Sequence, residues 1–244
     1  THMYDHWFEG LADHMGEAYL NYSFTKGTEQ EVDYLISALA LESGMSLLDV
    51  GCGPGRHAYY FAKRGIKVHG IDISQTFIDI ANERAPRGAT FERVDAREMS
   101  FYNQYDAVIS LCQGAFGLAG DPNASIASQD QDGVILSRMA DALITGGKLA
   151  LTAFSAYFQV RYLEDSDTFF VAQGVNSEVT QIRNREGEQI EKELLTSCFT
   201  PRELRLLAES AGLTVLSMSS VSPGKYRSGS LTINEPEILL VAAR

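Results

Sequence analysis

The sequence predicts an α/β domain in which a mostly parallel, doubly wound β-sheet is covered by helices on both faces. Short apolar segments alternate with amphipathic ones between residues 28 and 154. The apolar segments are continuous rather than alternating, as in strands that are buried on both faces. The chain has 244 residues, of which 45% are apolar, so it can bury a full core. We therefore expect a single domain over residues 1–244.

The first well-defined helix is predicted to begin at Thr28. Thr28 and Glu31 have the T-x-x-E spacing of a capping box. An apolar stripe with helical spacing follows, formed by Val32, Leu35, Ile36 and Leu39. This pattern is typical of a helix that packs one face on a core.

Five strand candidates follow this helix and are separated by helical segments. The strand candidates are "SLLDVG", "IKVHGID", "ATFERVD", "YDAVISL" and "GGKLALTAFS". The helical segments are residues 54–64, residues 75–85 and "QDGVILSRMADAL". This order predicts parallel strands joined by crossover helices.

The alternation ends after Phe154. Residues 155–199 predict an antiparallel β-hairpin insertion that turns near Glu186 and Gly187. A helix starts at Thr200, which precedes a proline at the first helical position. The last two strands, "LTVLSMSSV" and "EPEILLVAA", have no crossover helix between them, so we expect them to be antiparallel.

Composition excludes several classes of protein. The formal net charge is -12, with no basic run, which argues against nucleic acid as the main partner. The three cysteines are odd in number and lack CxxC spacing, which predicts reduced thiols and no zinc site. No apolar run reaches 18 residues, and the N-terminus lacks the layout of a signal peptide. We therefore expect a cytoplasmic protein that does not enter membranes.

The glycine-rich turn in "LLDVGCGPG" follows the first strand and opens a helix. Its glycines are Gly51, Gly53 and Gly55, which can adopt positive φ or admit a ligand. In the dinucleotide fingerprint G-x-G-x-x-G, the third position falls on Arg56, which argues against that ligand. The phosphate-binding loop motif is absent as well.

Acidic residues end the next two strands. Asp72 ends the second strand, where a carboxylate can accept hydrogen bonds from both hydroxyl groups of a ribose. Asp95 ends the third strand, and "SLCQGAFG" ends the fourth. Ligands of open α/β sheets bind at this edge.

These segments together resemble the class I S-adenosylmethionine-dependent methyltransferases, which have a Rossmann-like fold. The resemblance rests on "LLDVGCGPG", "VHGIDIS", "FERVDARE" and "YDAVISLCQG", and it covers roughly residues 28–154. It implies a seven-stranded sheet whose last strand is antiparallel. It also implies S-adenosylmethionine as cofactor and S-adenosylhomocysteine as product.

The resemblance also implies which residues contact the cofactor. These are Asp49, Gly51, Cys52 and Gly53 for the amino-acid end, Asp72, Ile73, Asp95 and Ala96 for the ribose and adenine, and Leu111 and Cys112 for the methionyl amine. Residues 1–27 are expected to form a helical lid, in which Tyr22 and Lys26 reach the cofactor.

The acceptor is expected to be a small molecule, methylated on nitrogen or oxygen. Residues that strand order and aromatic content place near the methyl group are Tyr19, Tyr22, Gln113, Phe116, Phe154 and Tyr226. The catalytic base is not identified, and the candidates are His14, Tyr19, Tyr22, Gln113 and Tyr226. The insertion at 155–199 is expected to cap the substrate, and no metal site is expected.

Other functions remain open at this point. A protein or RNA methyltransferase would need an open groove, and an NAD(P)-dependent oxidoreductase would need a different glycine spacing. A scaffold that has lost catalysis would not need Asp49 and Asp72. A homodimer is also left open.

Overall fold

A computed structural model of the chain describes residues 6–22, 26–112 and 114–244. In this part of the chain, ten strands form one mixed sheet, and seven α-helices and one 3-10 helix pack around it. The α/β class and the mostly parallel central sheet are therefore confirmed. None of the helices within the described ranges is both long and apolar enough to cross a membrane.

The helices alternate with the strands through the first half of the chain. The helices are α1 (Trp7–Met15), the 3-10 helix (Gly16–Asn21), α2 (Thr28–Ala38), α3 (Arg56–Lys63), α4 (Gln75–Glu83), α5 (Gln131–Ala142), α6 (Ala156–Arg161) and α7 (Pro201–Ser210). The strands are β1 (Ser46–Val50), β2 (Lys67–Asp72), β3 (Ala89–Arg93), β4 (Tyr105–Ser110), β5 (Leu143–Ser155), β6 (Asp167–Phe170), β7 (Val175–Arg183), β8 (Gln189–Phe199), β9 (Thr214–Val221) and β10 (Glu237–Ala243).

Seven strands form the central path in the order β3-β2-β1-β4-β5-β10-β9. The first five are parallel, and β10 lies antiparallel between β5 and β9. The prediction of an antiparallel last strand is therefore correct. The prediction of seven strands was incomplete, because β6, β7 and β8 extend the sheet beyond this path.

Two apolar layers cover the sheet. One face packs on α5 and α7, with Leu136 and Leu204 fully buried. The other face packs on α2 and α3, with Leu35 and Phe61 fully buried. Because β1 lies between two parallel neighbours under both layers, the turn that follows it is held rigidly at the carboxyl edge of the sheet.

The insertion contains a short helix and three antiparallel strands, where a two-stranded hairpin was expected. β7 pairs with both β6 and β8, and its turn lies between Arg183 and Gln189. β8 joins the central sheet because β5 is long enough to pair with it at Phe154 and Ser155. A strand of 13 residues can serve different partners along its length, which a local sequence pattern does not reveal.

A buried carboxylate anchors the insertion to the domain. Asp132 of α5 accepts hydrogen bonds from the backbone N–H groups of Gly117 and Ala119, at 2.7 and 3.2 Å, and from the Ser197 hydroxyl on β8. Burial raises the pKa of Asp132 to about 6. One side chain thus ties the loop after β4, helix α5 and the insertion together.

The expected capping box at the start of α2 does not form. Gly27 precedes the helix with φ +87° and no side chain caps it. Glu31 instead accepts hydrogen bonds from His57 and from the backbone of Gly224. These partners come from distant parts of the chain, so the local spacing was misleading.

Candidate active site

The glycine turn after β1 allows two backbones to approach each other. Gly51, Gly53 and Gly55 all have positive φ. A Cβ on Gly51 would lie 2.1 Å from the backbone carbon of Gly114, and a Cβ on Gly114 would lie 2.1 Å from the Gly51 oxygen. The close neighbour of Gly51 is therefore the loop after β4, in addition to any ligand. This pairing fixes the spacing between the ends of β1 and β4.

The Asp72 carboxylate is hydrogen-bonded to the backbone of the glycine turn and to the backbone after β2. One of its carboxylate oxygens accepts from Gly53 N–H at 2.9 Å and the other accepts from Ser74 N–H at 2.9 Å. Burial raises the pKa of Asp72 to about 6, although these hydrogen bonds oppose the rise. Each oxygen retains a second lone pair, so the carboxylate can still accept hydrogen bonds from a ligand.

Asp49 is a buried carboxylate whose Oδ2 has no hydrogen-bond partner within the described ranges. Burial raises its pKa to about 7, the charge of Arg56 opposes the rise, and the charge of Asp72 adds to it. A buried acceptor without a donor is costly, so the site favours a ligand that brings a donor or a positive charge.

A small cavity of about 40 Å³ opens at this turn, and we call it the turn cavity. Five of the predicted cofactor residues line it, namely Gly51, Asp72, Ile73, Asp95 and Ala96. Its other walls come from the start of α1 with its cap, the segment after β3, the loop after β4 and α5, namely His6, Phe8, Val94, Arg97, Gly114, Ala115, Leu118, Ala119 and Ile135. The structure thus brings together residues from the ends of three strands.

Asp95 is paired with Arg97. The guanidinium of Arg97 donates to both carboxylate oxygens of Asp95, at 2.6 to 3.1 Å. Burial would raise the pKa of Asp95, but the hydrogen bonds and charge of Arg97 lower it below its usual value. The carboxylate is therefore ionised at neutral pH and is shared between Arg97 and the cavity.

His6 closes the turn cavity from α1. Its Nδ1 accepts from Phe8 N–H, which leaves a proton on Nε2 to be donated to the Leu118 carbonyl at 3.1 Å. Burial lowers the pKa of His6, so the neutral ring is favoured. The start of α1 is thereby attached to the loop after β4.

A larger cavity of about 380 Å³ adjoins the first, and we call it the aromatic cavity. Its walls are mainly apolar and come from α1, the 3-10 helix, the insertion and the strand ends, namely Trp7, Phe8, Leu11, Met15, Tyr19, Tyr22, Cys112, Gly114, Leu118, Phe154, Thr180, Gln181, Ile182, Leu194, Thr196, Pro223 and Glu237. The two cavities share Phe8, Gly114 and Leu118 as a common wall.

Tyr19 and Tyr22 belong to the N-terminal segment and line the aromatic cavity. The Tyr19 ring packs 4.9 Å from Phe77, and a Cβ on Gly53 would touch it at 3.7 Å. The Tyr22 hydroxyl accepts from Arg183 N–H of β7 at 2.9 Å. Tyr19 therefore lies beside the glycine turn, and Tyr22 is bonded to the insertion.

Leu111 and Cys112, which follow β4, form backbone hydrogen bonds within the protein. The Leu111 carbonyl accepts from Gly114 N–H at 3.0 Å, and Cys112 N–H donates to the Thr152 hydroxyl at 2.8 Å. Cys112 has φ +53°, a rare conformation for a residue with a side chain. Burial raises the pKa of the Cys112 thiol to about 12, so the thiol is neutral. Cys52 is buried, and burial raises the pKa of its thiol well above the usual value.

A buried cluster of polar side chains around Arg56 contacts Cys112, which lines the aromatic cavity. Arg56 donates to the Thr28 hydroxyl at 2.8 Å, to Glu31 at 3.5 Å and to the Cys112 sulfur at 3.1 Å. His57 lies 2.8 Å from Glu31, and burial lowers its pKa to about 4, so the ring is neutral. Glu31, His57 and Cys112 have ligand atoms close enough to hold a metal ion, but the guanidinium between them already supplies a positive charge.

Three predictions for the acceptor site are wrong. Phe116 is fully buried in the core, where it stacks on Phe199 at 5.0 Å. Tyr226 is buried because Gln30 binds both its N–H and its carbonyl and draws its loop onto α2. His14 lies against the hairpin turn, 3.2 Å from the Glu188 carbonyl. None of the three lines either cavity.

Lys26 was expected to reach the cofactor. It is exposed in the turn that precedes α2 and lines neither the turn cavity nor the aromatic cavity. Gln113 lies outside the described residues.

Three residues of the site were missed at the sequence level. Arg56 was read only as an obstacle to dinucleotide binding, yet it is the centre of the buried polar cluster. Gly114 was not recognised as the partner of Gly51. Glu237 begins β10 and lines the aromatic cavity. An acidic residue at the start of an otherwise apolar strand was the available signal for Glu237.

The residues at the turn fit S-adenosylmethionine. The lone acceptor on Asp49 suits the ammonium group of an amino acid, and the remaining lone pairs of Asp72 suit two ribose hydroxyls. Ile73 and Ala96 offer apolar surface to a purine in the same cavity.

Comparisons with known proteins agree with this arrangement. The family described as "Methyltransferase domain" matches residues 47–129. The cypemycin N-terminal methyltransferase of a Streptomyces species is 28% identical over 218 residues, which is 82% of this chain and 84% of that protein.

Two solved structures are also similar. The CcbJ methyltransferase of Streptomyces caelestis has a TM-score of 0.77 at 19% identity and covers 98% of this chain and 99% of its own. CalS10, an amino pentose methyltransferase of Micromonospora echinaspora solved with S-adenosylmethionine bound, has a TM-score of 0.61 at 21% identity and covers 100% and 99%.

The fold, the glycine turn with its two acidic residues and the matched family agree with one another. Together they indicate an S-adenosylmethionine-dependent methyltransferase of the class I type.

Proposed function

We propose that the protein transfers a methyl group from S-adenosylmethionine to nitrogen or oxygen of a small molecule held in the aromatic cavity. The observation that carries this proposal is the shared wall of the two cavities, formed by Phe8, Gly114 and Leu118. A donor in the turn cavity and an acceptor in the aromatic cavity would meet at this wall. Alignment of the two reactants is the main contribution that an enzyme makes to such a transfer.

The cofactor residues in this proposal are those at the turn. Asp49 would bind the amino group, with the backbone of Gly51, Cys52 and Gly53 beside it, and Asp72 would bind the ribose. Ile73, Asp95 and Ala96 would surround the adenine, and Leu111 and Cys112 would lie near the methionyl end. When bound, the cofactor supplies an electrophilic methyl group on a sulfonium.

The aromatic cavity would hold the acceptor and exclude water. Its rings come from α1, from the 3-10 helix and from Phe154 at the end of β5. Aromatic faces stabilise cationic sulfur and nitrogen groups. In this proposal α1 is part of the lid and β7 and β8 form the substrate cap, because Leu11 and Met15 pack on Ile182.

One of the two relatives whose names state an acceptor supports a small molecule. By their names, one acts on an N-terminus and another on an amino pentose. The acceptor proposed for this chain is therefore a small molecule.

Titration calorimetry tests the cofactor part of the proposal. The wild-type protein is expected to bind S-adenosylhomocysteine and not NAD⁺ or NADP⁺. Asp72→Ala should lose at least tens of fold in affinity, because two charge-assisted hydrogen bonds are lost. Binding of a nicotinamide cofactor instead, or unchanged affinity in the variant, would contradict this assignment.

Product analysis tests the acceptor part. The enzyme is incubated with methyl-labelled S-adenosylmethionine and a metabolite library, and labelled products are identified by mass spectrometry. A labelled product of low molecular mass is expected. Label found only in protein or RNA would overturn the proposal.

A further inference from the structure

Glu237 occupies an unusual place in the aromatic cavity. It is the first residue of β10, and it pairs with Phe154 on one side and Val221 on the other. It is 3% exposed, and it is the one carboxylate among the described residues that line this cavity. Within the same described lining there is no lysine, arginine or histidine.

The groups around Glu237 are proton donors that remain neutral. Its negative charge contributes to the raised pKa values of Cys112 and Tyr226, for which burial is the largest cause. Glu31 adds to the negative charge in this region, and Arg56 opposes it. The Arg56 guanidinium donates to Thr28, Glu31 and Cys112. The region of Glu237 thus contains a second carboxylate, Glu31, two neutral donors and the guanidinium of Arg56.

Aromatic side chains also line the cavity. Trp7, Phe8, Tyr19, Tyr22 and Phe154 all line it. A carboxylate combined with aromatic faces attracts organic cations, because both carry negative potential toward the cavity. An anionic acceptor would be repelled by Glu237, and a neutral alcohol would gain much less than an ammonium group.

We propose that Glu237 binds the amino group of the methyl acceptor, so that the substrate class is a primary or secondary amine with an apolar body. This inference rests on the proposed function, because it assumes that the acceptor occupies the aromatic cavity. It assigns nitrogen rather than oxygen as the nucleophile.

The reaction that follows from this geometry is balanced in protons and electrons. The acceptor enters as an ammonium ion and gives one proton to the Glu237 carboxylate. The lone pair freed on nitrogen forms the N–C bond to the methyl carbon, and the C–S bond pair returns to sulfur. The products are a neutral thioether and an N-methylammonium ion, and Glu237 releases its proton to water when they leave.

The test uses probes that differ only in the group that faces Glu237. 3-Phenylpropylamine and its isosteric alcohol, 3-phenylpropan-1-ol, are titrated into protein saturated with S-adenosylhomocysteine. Trp7 is the single tryptophan of the chain and lines the cavity, so its fluorescence reports binding. The amine is expected to bind roughly tenfold or more tightly than the alcohol.

Variants show whether Glu237 causes this preference. Glu237→Gln should reduce the preference to about twofold or less, since it removes the charge and keeps the size. Glu237→Asp keeps the charge and should retain the preference with weaker binding of both probes. Glu235→Gln is the matched control, because Glu235 pairs with Arg227, does not line the cavity and should change nothing.

The outcomes separate the two proposals. If the wild-type protein does not bind S-adenosylhomocysteine, the proposed function fails. If it does, but the amine and alcohol bind equally or Glu237→Gln keeps the preference, the role of Glu237 is overturned. Should Glu237→Gln not fold, the wild-type protein still decides, because equal binding of the amine and the alcohol overturns the role of Glu237.

Discussion

Asp49 and Asp72 are both buried at the ends of β1 and β2, but only Asp72 accepts hydrogen bonds from the backbone, whereas Asp49 Oδ2 has no partner within the described residues. Burial raises the pKa of Asp49 to about 7 and that of Asp72 to about 6. A raised carboxyl pKa stabilises the folded protein at low pH, where the group is protonated. This stability is present below a pH of about 4 and is lost as the pH rises through the folded-state value.

Binding of the cofactor should therefore depend on pH. An ammonium group beside Asp49 favours the ionised carboxylate, so the affinity for S-adenosylhomocysteine should be highest above pH 7. It should fall by up to about tenfold per unit below pH 7. Calorimetry between pH 5.5 and 8 measures this dependence, and at pH 6 protons should be released on binding.

Asp49→Asn is the variant that isolates this effect. Its affinity should be lower than that of the wild type at pH 8, and the fall between pH 7.5 and 6.5 should be absent. A wild-type affinity that is flat over this range would show that Asp49 does not ionise on binding.

The contact between Gly51 and Gly114 leads to a second prediction. Gly51→Ala should destabilise the protein through positive φ, by about 1–2 kcal/mol, and through overlap with Gly114, by a further 1–3 kcal/mol or so. Gly187→Ala is matched to it, because Gly187 has φ +85° with nothing within 4 Å of its Cβ position. Urea unfolding should show a clearly larger loss for Gly51→Ala, and equal losses would contradict the close contact.

Helix α1 and strand β7 depend on one another through a small apolar cluster. Leu11 and Met15 of α1 are buried against Ile182 of β7. The helix also begins with a side-chain cap from His6 and is bonded there to Leu118. These contacts attach α1 both to the insertion and to the loop after β4.

Ile182→Ala should loosen α1 without unfolding the domain. The lost burial costs about 2 kcal/mol or more, which should speed amide exchange in residues 7–15 by roughly tenfold or more. Hydrogen exchange with mass spectrometry measures this, and β1 and β4 should remain protected. Val179→Ala, on an exposed position of the same strand, is the control and should leave α1 unchanged.

The regular elements were predictable because their signals are local. Strands β1 to β5 and the glycine turn follow from apolar runs and glycine spacing, and Asp72, Ile73 and Ala96 were correctly placed at one edge. Contacts between distant segments were not predictable. The position of Phe116 after β4 predicts a pocket residue, but its ring stacks on Phe199 in the core. Glu31 looks like a cap, but His57 and Gly224 bind it instead.

At the scale of the whole domain, the insertion and the Rossmann-like part share one sheet. β5 pairs with β4, β10 and β8, so the insertion is continuous with the core. We expect one cooperative thermal transition rather than separate unfolding of residues 155–199. Calorimetry should give a single peak with equal calorimetric and van't Hoff enthalpies, and a resolved early peak would contradict this view.

S-adenosylhomocysteine should shift that transition as a whole. At a concentration 100 times its Kd, the stabilisation is about 2.7 kcal/mol, or roughly 5–10 °C for a domain of this size. The Asp72→Ala protein serves as the control and should show little shift at the same concentration. A shift confined to part of the transition would indicate that the site does not span the domain.

The hydrogen bonds of Asp132 to Gly117, Ala119 and Ser197 constrain how the insertion can be exchanged between related proteins. Exchanging the insertion with that of a relative is an obvious way to transplant acceptor specificity. In such a graft the residue that takes the place of Ser197 must still donate to a carboxylate that stays behind on α5. Functional chimaeras should therefore carry the segment from residue 114 to 132 together with the insertion, as one exchangeable unit.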